Sequence, residues 1–473
     1  MTFLDKIKCW FTQPHPAPDA PAEPPAAPTL SASMRPVAGL IAKVRRRNSV
    51  DALSADMCHY SGFVREVALE RAAELRSPDL LPAIVDRLND WVPQVRQRAQ
   101  ALVLDWLPLL DADAAIPLLA TVQHLRVARR TDHSAWLQAF EQAVVAQVGA
   151  DRIAAAVSGG DAIVARTCYR LLAEHGLVDP ATLVRLGLSN GMDIVLAHKA
   201  AESLVRLSAD DREALGRLAL RSHFGMVRAS ALRSLLSDGT ETHRTLATDM
   251  LADPNSWVRL VANSWLERHG IDSGPLFAAR LVAPDSAIAV LRACLMGLAE
   301  AGKRDHVDLV LRMTMHPSAR VRSHAFSAWR QLAPGDKDHI AQRVLADESP
   351  RVRKAVLTLS RKHGAFVPAD VALSLLRERG DVDLMLRYVQ SEPWHHLALI
   401  AELETASRSD AALRERLRHE LIAWIDNSRL HYTRPTDGLR ARLAQPDAKA
   451  DLLALLGGGD ARVREIVSQL DSM

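Results

Sequence analysis

A short pattern that returns about every 31 residues limits what this chain can fold into more than any other feature of it. Its clearest copy runs from Asp253 to Gly270: a turn, a Val-Arg pair opening an amphipathic helix, an Ala three residues after the Arg, and a Gly that closes the helix. With the Arg of each pair as marker, the register reads Arg65, Arg96, Arg228, Arg259, Arg322 and Arg353, and 31 residues separate 65 from 96, 228 from 259 and 322 from 353. Leu291 (with Arg292 displaced by one), Ala165 and His198 keep the register between them, and a divergent unit near Arg129 and Arg130 fills the remaining gap.

Other positions recur in step with the marker. Ala follows it by three at Ala68, Ala99, Ala201, Ala231, Ala262 and Ala325, and Cys168 and Cys294 take the same slot. Gly follows it by eleven at Gly176, Gly239, Gly270, Gly302 and Gly364, where a helix end needs a left-handed residue. Asp precedes it by six at Asp90, Asp253, Asp285 and Asp347, in a turn where a carboxylate can cap the next helix. A chain of 473 residues would ordinarily split into several domains, but a stack of repeats grows without a growing core. The expected fold is all-α, a right-handed solenoid of helix pairs.

The pattern Asp-x-x-x-x-Val-Arg-x-x-Ala, followed by a Leu-rich helix and Gly, resembles the HEAT-like repeat in the short form associated with the phycobilin-lyase group. The resemblance covers residues 55–365 clearly and 366–473 faintly. It implies antiparallel helix pairs in which the recurring Asp and Arg form a ladder between units, carried here by Asp90, Arg96, Asp253, Arg259, Asp347 and Arg353. That role is structural, and a fold by itself does not give a function.

The ends of the chain depart from the pattern. Phe3, Leu4, Ile7, Trp10 and Phe11 share one face at helical spacing, with Asp5, Lys6 and Lys8 opposite. Residues 1–11 therefore read as an amphipathic docking segment for a partner groove or a membrane interface, or for the chain's own first repeat. Residues 12–36 hold eight of the 24 prolines and read as an extended linker. The repeat solenoid is expected over 37–365, opening on the basic cluster Lys43, Arg45, Arg46 and Arg47, read as a solvated helix end. A divergent cap follows over 366–473, with a more individual surface around Trp394, His395, His396, Trp424, His431 and Tyr432.

Charge and cysteine narrow the function classes. The formal net charge is +3, of which residues 1–47 hold +4, leaving about −1 for the repeats, and this counts against a nucleic-acid-wrapping surface. The four cysteines, Cys9, Cys58, Cys168 and Cys294, form no C-x-x-C pair, so no zinc site or disulfide framework is indicated and a reducing, cytoplasmic compartment fits, with peripheral attachment to a membrane's inner face left open. His175, His269 and His363 each precede a helix-closing Gly or stand beside one, in the last helical turn where a cation is favoured, and lie whole repeats apart. The adjacent pair His395-His396 points in two directions on a helix.

HEAT-like hydroxylases build a di-iron centre from repeated His-Glu pairs, and this chain has one such pair, His419-Glu420. An alkylpurine-glycosylase-like reading would place Trp91, Trp106, Trp257, Trp265 and Trp329 on a concave face; Trp257 and Trp265, eight apart, would share one helix side. No catalytic constellation, cofactor motif or metal set emerges. The leading expectation is a non-enzymatic scaffold or adaptor that holds protein partners on its concave face. The alternatives are a nucleic-acid-binding or glycosylase-like protein, and a regulatory or chaperone subunit of a cofactor-bearing protein.

Overall fold

The computed structural model describes residues 35–239, 243–427, 433–457, 460 and 462–471. Phe3, Leu4, Ile7, Trp10 and Phe11 lie outside the described residues, as do His431 and Tyr432. The first described helix, Arg35–Val44, takes in the last two residues of the proline-rich stretch. The fold is all-α, with no strand among the described residues. None of the helices described is long and apolar enough to cross a membrane. Contacts divide the chain into two compact units, one ending at Asp179 and one beginning at Pro180, within the stretch read from sequence as a single solenoid.

In each unit a short helix is followed by a second that carries the marker. The second unit pairs Ala209–Ala219 with Gly225–Leu235, His243–Met250 with Ser256–Arg268, Ser273–Val282 with Ile288–Glu300, and Val307–Met313 with Ala319–Leu332. Consecutive marker helices pack on each other: Ile194–Ser203 on Gly225–Leu235, that helix on Ser256–Arg268, and so on to Ala319–Leu332. The slot three residues after the marker is where they approach, which explains its small side chains. Ala68, Ala99, Ala231, Ala262, Ala325, Cys168 and Cys294 are fully buried there. Burial pushes the Cys168 and Cys294 thiols up to about 11, so both behave as small apolar groups.

Five of the marker helices end on a reversal that lets the chain return. Gly176, Gly239, Gly270, Gly302 and Gly364 have φ between 59° and 72°, the left-handed region that a Cβ disfavours. Gly297 is needed for a different reason. A Cβ there would stand 2.3 Å from Cε1 of Phe277, a fully buried ring in the same helix pair.

Candidate interaction surface

Four of the marker arginines, Arg65, Arg228, Arg322 and Arg353, do the same work. Arg65 donates through Nη1 to the carbonyls of His59 (2.8 Å) and Tyr60 (3.0 Å) in its own turn, and through Nη2 to Asp90 Oδ1 (2.8 Å) of the next repeat. Arg228 repeats this with Ser222 and His223 behind it and a two-pronged bond to Asp253 ahead, both prongs at 2.8 Å. Arg322 grips Asp347 at 2.8 and 2.9 Å, and Arg353 grips Asp381 at 2.9 and 2.6 Å. The acceptor lies 25 residues on in the first three cases and 28 in the last. Three of these carboxylates also cap their own turns: Asp90, Asp253 and Asp347 accept the N–H two residues later at 2.7–2.9 Å.

The ladder thus joins an arginine to the following unit's aspartate, so Asp253 serves Arg228 and not Arg259. Arg259 holds the Asp253 carbonyl (2.8 Å) and sends its fork to Glu300 at 3.0 and 2.6 Å. The reason is one extra residue: Leu291 lies 32 positions after Arg259, and Asp285 is left exposed in the longer turn. Arg96 donates to the Asp90 carbonyl at 2.8 Å. Arg292 instead meets the ring of His324 at 3.3 Å. Arg65, Arg259, Arg322, Arg353 and Asp90 are buried, and their charges are spent on structure.

The divergent unit forms a cleft of about 390 Å³ lined by Arg126, Asp132, His133, Ser134, Glu141 and His175 among others. Its conspicuous titratable groups are fully engaged. Burial works against ionising Glu141, but bonds from Arg170 (2.6 Å) and Arg126 (2.9 and 3.0 Å) outweigh it and hold the carboxyl below its usual range. Burial, then the charges of Arg96 and His124, lower His133; its Nδ1 meets Gln100 Nε2 at 3.1 Å and its Nε2 meets Asn89 Oδ1 at 3.2 Å. Both groups are held by bonds to neighbouring side chains of the fold.

The histidines and the cap are structural in the same sense. His269 bonds the Trp265 carbonyl through Nδ1 at 2.7 Å and stacks on the Trp265 ring. His175 caps its helix, and His363 stands exposed in the last turn of another. His395 and His396 diverge, to Asp370 at 3.6 Å and to Glu420 at 3.4 Å. No group of three or more His, Cys, Asp or Glu able to hold a metal occurs among the described residues. Trp394 and Trp424, expected to give the cap an individual surface, are instead buried edge to face, their indole N–H groups bonded to the carbonyls of Thr433 and Pro393. At the other end, Arg45 and Arg46 are exposed beyond the first helix, while Arg47 pairs with Asp56 at 2.6 Å.

The tryptophans divide in a way that the sequence did not disclose. Trp106, Trp265 and Trp329 are buried, whereas Trp91 and Trp257 are exposed. Trp257 and Trp265 do not share a helix side: eight residues at ~100° each leave them ~80° apart, enough to turn one into the core and the other out. Trp257 belongs to a series. Val195, Met226, Trp257 and Ile288 are 49, 48, 59 and 43% exposed, and 31 residues separate each from the next. All four stand in the first turn of successive marker helices, Ile194–Ser203, Gly225–Leu235, Ser256–Arg268 and Ile288–Glu300. In the next two repeats the same turn carries exposed Arg320 and Arg351. With packed helices about 10 Å apart, the four apolar rungs extend over roughly 30 Å.

No family model matches the chain, and no curated protein matches it, so the phycobilin-lyase likeness of the repeats rests on their residues alone. Among solved structures, Kap121p bound to Pho4p is similar at 13% identity and a TM-score of 0.31, over 93% of this chain and 57% of that one. Kap121p alone gives 11% identity and a TM-score of 0.28, over 86% of this chain and 46% of that one. Kap95p, whose binding induces the switch loops of RanGDP to adopt the GTP-bound conformation, gives 14% and 0.29, over 92% of this chain and 68% of that one. The chain thus spans about half the length of Kap121p.

Proposed function

We propose that this chain is a non-enzymatic protein-interaction scaffold, and that its second unit takes an extended partner segment along Val195, Met226, Trp257 and Ile288. The observation that carries this reading is the repetition of solvent-exposed apolar side chains in the first turn of four successive marker helices, beside marker arginines whose charges are buried and paired. Scattered exposed apolar residues need no explanation, whereas an aligned series marks a contact surface. Arg320 and Arg351 continue the line, which favours a partner segment apolar at one end and acidic at the other. The engaged state of Glu141 and His133 supports a binding role over a catalytic one. The buried thiols of Cys168 and Cys294 are in keeping with a reducing compartment.

The test compares the wild-type chain with a Met226→Ser/Trp257→Ser variant in affinity purification from the native cell, with cross-linking to locate contacts. The variant is expected to keep its helical circular dichroism and to lose the proteins that cross-link to the Gly225–Leu235 and Ser256–Arg268 helices. An unchanged set of partners and cross-links overturns the reading.

A further inference from the structure

The first unit carries an aromatic patch of its own, separate from the series just described. Tyr60, Phe63 and Trp91 are 80, 53 and 64% exposed. One buried guanidinium connects the turns that bear Tyr60 and Trp91: Arg65 holds the Tyr60 carbonyl at 3.0 Å and lies 5.3 Å from the centre of the Trp91 ring. Trp91 therefore rests one face on a cation and leaves the rest of its surface to solvent. Along the Gly62–Leu75 helix, Glu66, Glu70 and Glu74 follow Phe63 by three, seven and eleven residues, in line with it on the outer face. None of the three is buried. The patch is apolar at one end and acidic along its flank.

We infer that residues 1–11 of this same chain close onto that patch, with Phe3, Ile7, Trp10 and Phe11 against Tyr60, Phe63 and Trp91 and with Lys6 and Lys8 facing the glutamates. The chemistry is complementary on both counts: an aromatic face meets exposed aromatics, and a segment whose charges are Asp5, Lys6 and Lys8 meets the carboxylates of Glu66 and Glu70, Glu74 being paired with Arg71. The tether is sufficient. Residues 12–34 contain seven prolines, and 23 residues of such a sequence can reach roughly 70 Å. They join the Arg35–Val44 helix, which packs directly on the helix that bears Phe63. A tethered segment competes at an effective concentration on the order of millimolar, above that of a second copy in dilute solution. This placement concerns the first unit alone and stands independently of the proposed partner series.

The test uses the full chain and a fluorescent peptide of residues 1–13 with Cys9→Ser. A Phe3→Ser/Trp10→Ser chain, its own segment disabled, is expected to bind the peptide at least ~10-fold more tightly than the wild type, whose site is occupied in cis. Adding Phe63→Ser and Trp91→Ser to that chain is expected to abolish binding with an unchanged melting profile, since both side chains are exposed. Adding Glu66→Lys and Glu70→Lys, which leaves the aromatics in place, is expected to weaken binding and to make it less sensitive to salt. Equal binding by the wild type and the Phe3→Ser/Trp10→Ser chain overturns the inference, as does absence of binding to the latter. So does binding that survives Phe63→Ser/Trp91→Ser, or a wild-type dimer that Phe3→Ser/Trp10→Ser converts to monomer, which would seat the segment on a second copy.

Discussion

Replacing Asp253 by Ala separates two ways of wiring the repeat ladder. Its carboxylate accepts both prongs of Arg228 at 2.8 Å and the Asn255 N–H at 2.7 Å, in a largely buried setting. Removal strands the Arg228 guanidinium and uncaps the turn, and loss of one partner of such a pair costs about 3–5 kcal/mol. The informative quantity is the coupling. In a double-mutant cycle, Asp253→Ala with Arg228→Met is expected to show an interaction energy of about 2–3 kcal/mol, because either change alone removes the same bonds. The cycle with Arg259→Met is expected to be additive within ~0.5 kcal/mol, because Arg259 touches the backbone carbonyl of residue 253 and directs its fork to Glu300. Repeat arrays need not unfold in one step. The assay is therefore native-state hydrogen exchange, read at amides of the Gly225–Leu235 and Ser256–Arg268 helices. Coupling to Arg259 that equals or exceeds coupling to Arg228 refutes the wiring.

Glu141 makes the first unit sensitive to acid. Its folded carboxyl titrates below the ordinary value of 4.5, so the folded state binds fewer protons and the stability it contributes is present above that value and lost as pH falls through the folded pKa. Glu141→Gln is expected to flatten that part of the pH–stability curve measured by urea unfolding. Trp265→Ala, which empties a buried site, is expected to cost about 3–5 kcal/mol, whereas Trp257→Ser is expected to stay within ~0.5 kcal/mol; equal losses in thermal melts would contradict the assignment of one to the core and the other to the surface. Gly297→Ala drives a methyl into the Phe277 ring and is expected to destabilise by about 1–3 kcal/mol, with recovery of the melting temperature when Phe277→Leu is added.

The fold was legible because the repeat writes it many times over. Ala262 and Ala325 declare the close approach of helices, and Gly270 and Gly364 declare the reversal, through residue types that few other positions require. The wiring of the ladder was less legible, because the partner of Arg228 lies one repeat ahead and no local spacing says which unit an aspartate serves. Arg259 turned to Glu300 on account of a single added residue, a change that reads in sequence only as a period of 32 in place of 31. The apolar rungs were hidden for another reason. Val195, Met226, Trp257 and Ile288 differ in type, and whether a first-turn side chain faces solvent depends on the neighbouring repeat. Trp394 and Trp424 show the converse: aromatics conspicuous in a divergent stretch closed the core of the cap.

The arginine forks fix more than proximity. A two-pronged bond between a planar guanidinium and a carboxylate sets an angle as well as a distance, so repeats joined by a fork, as by Arg228 to Asp253 and Arg322 to Asp347, are held in orientation too. Leu291 stands where the next arginine would be, and the Ile288–Glu300 and Ala319–Leu332 helices, which pack on each other, are joined by the Arg292 guanidinium on the His324 ring at 3.3 Å and by no carboxylate fork from the marker position. That junction lacks the two-pronged link to a carboxylate that Arg259 makes on one side of it and Arg322 on the other. It falls where the line of exposed side chains passes from Ile288 to Arg320, so a ligand held by the apolar rungs and one held by the arginine rungs would sit on opposite sides of it.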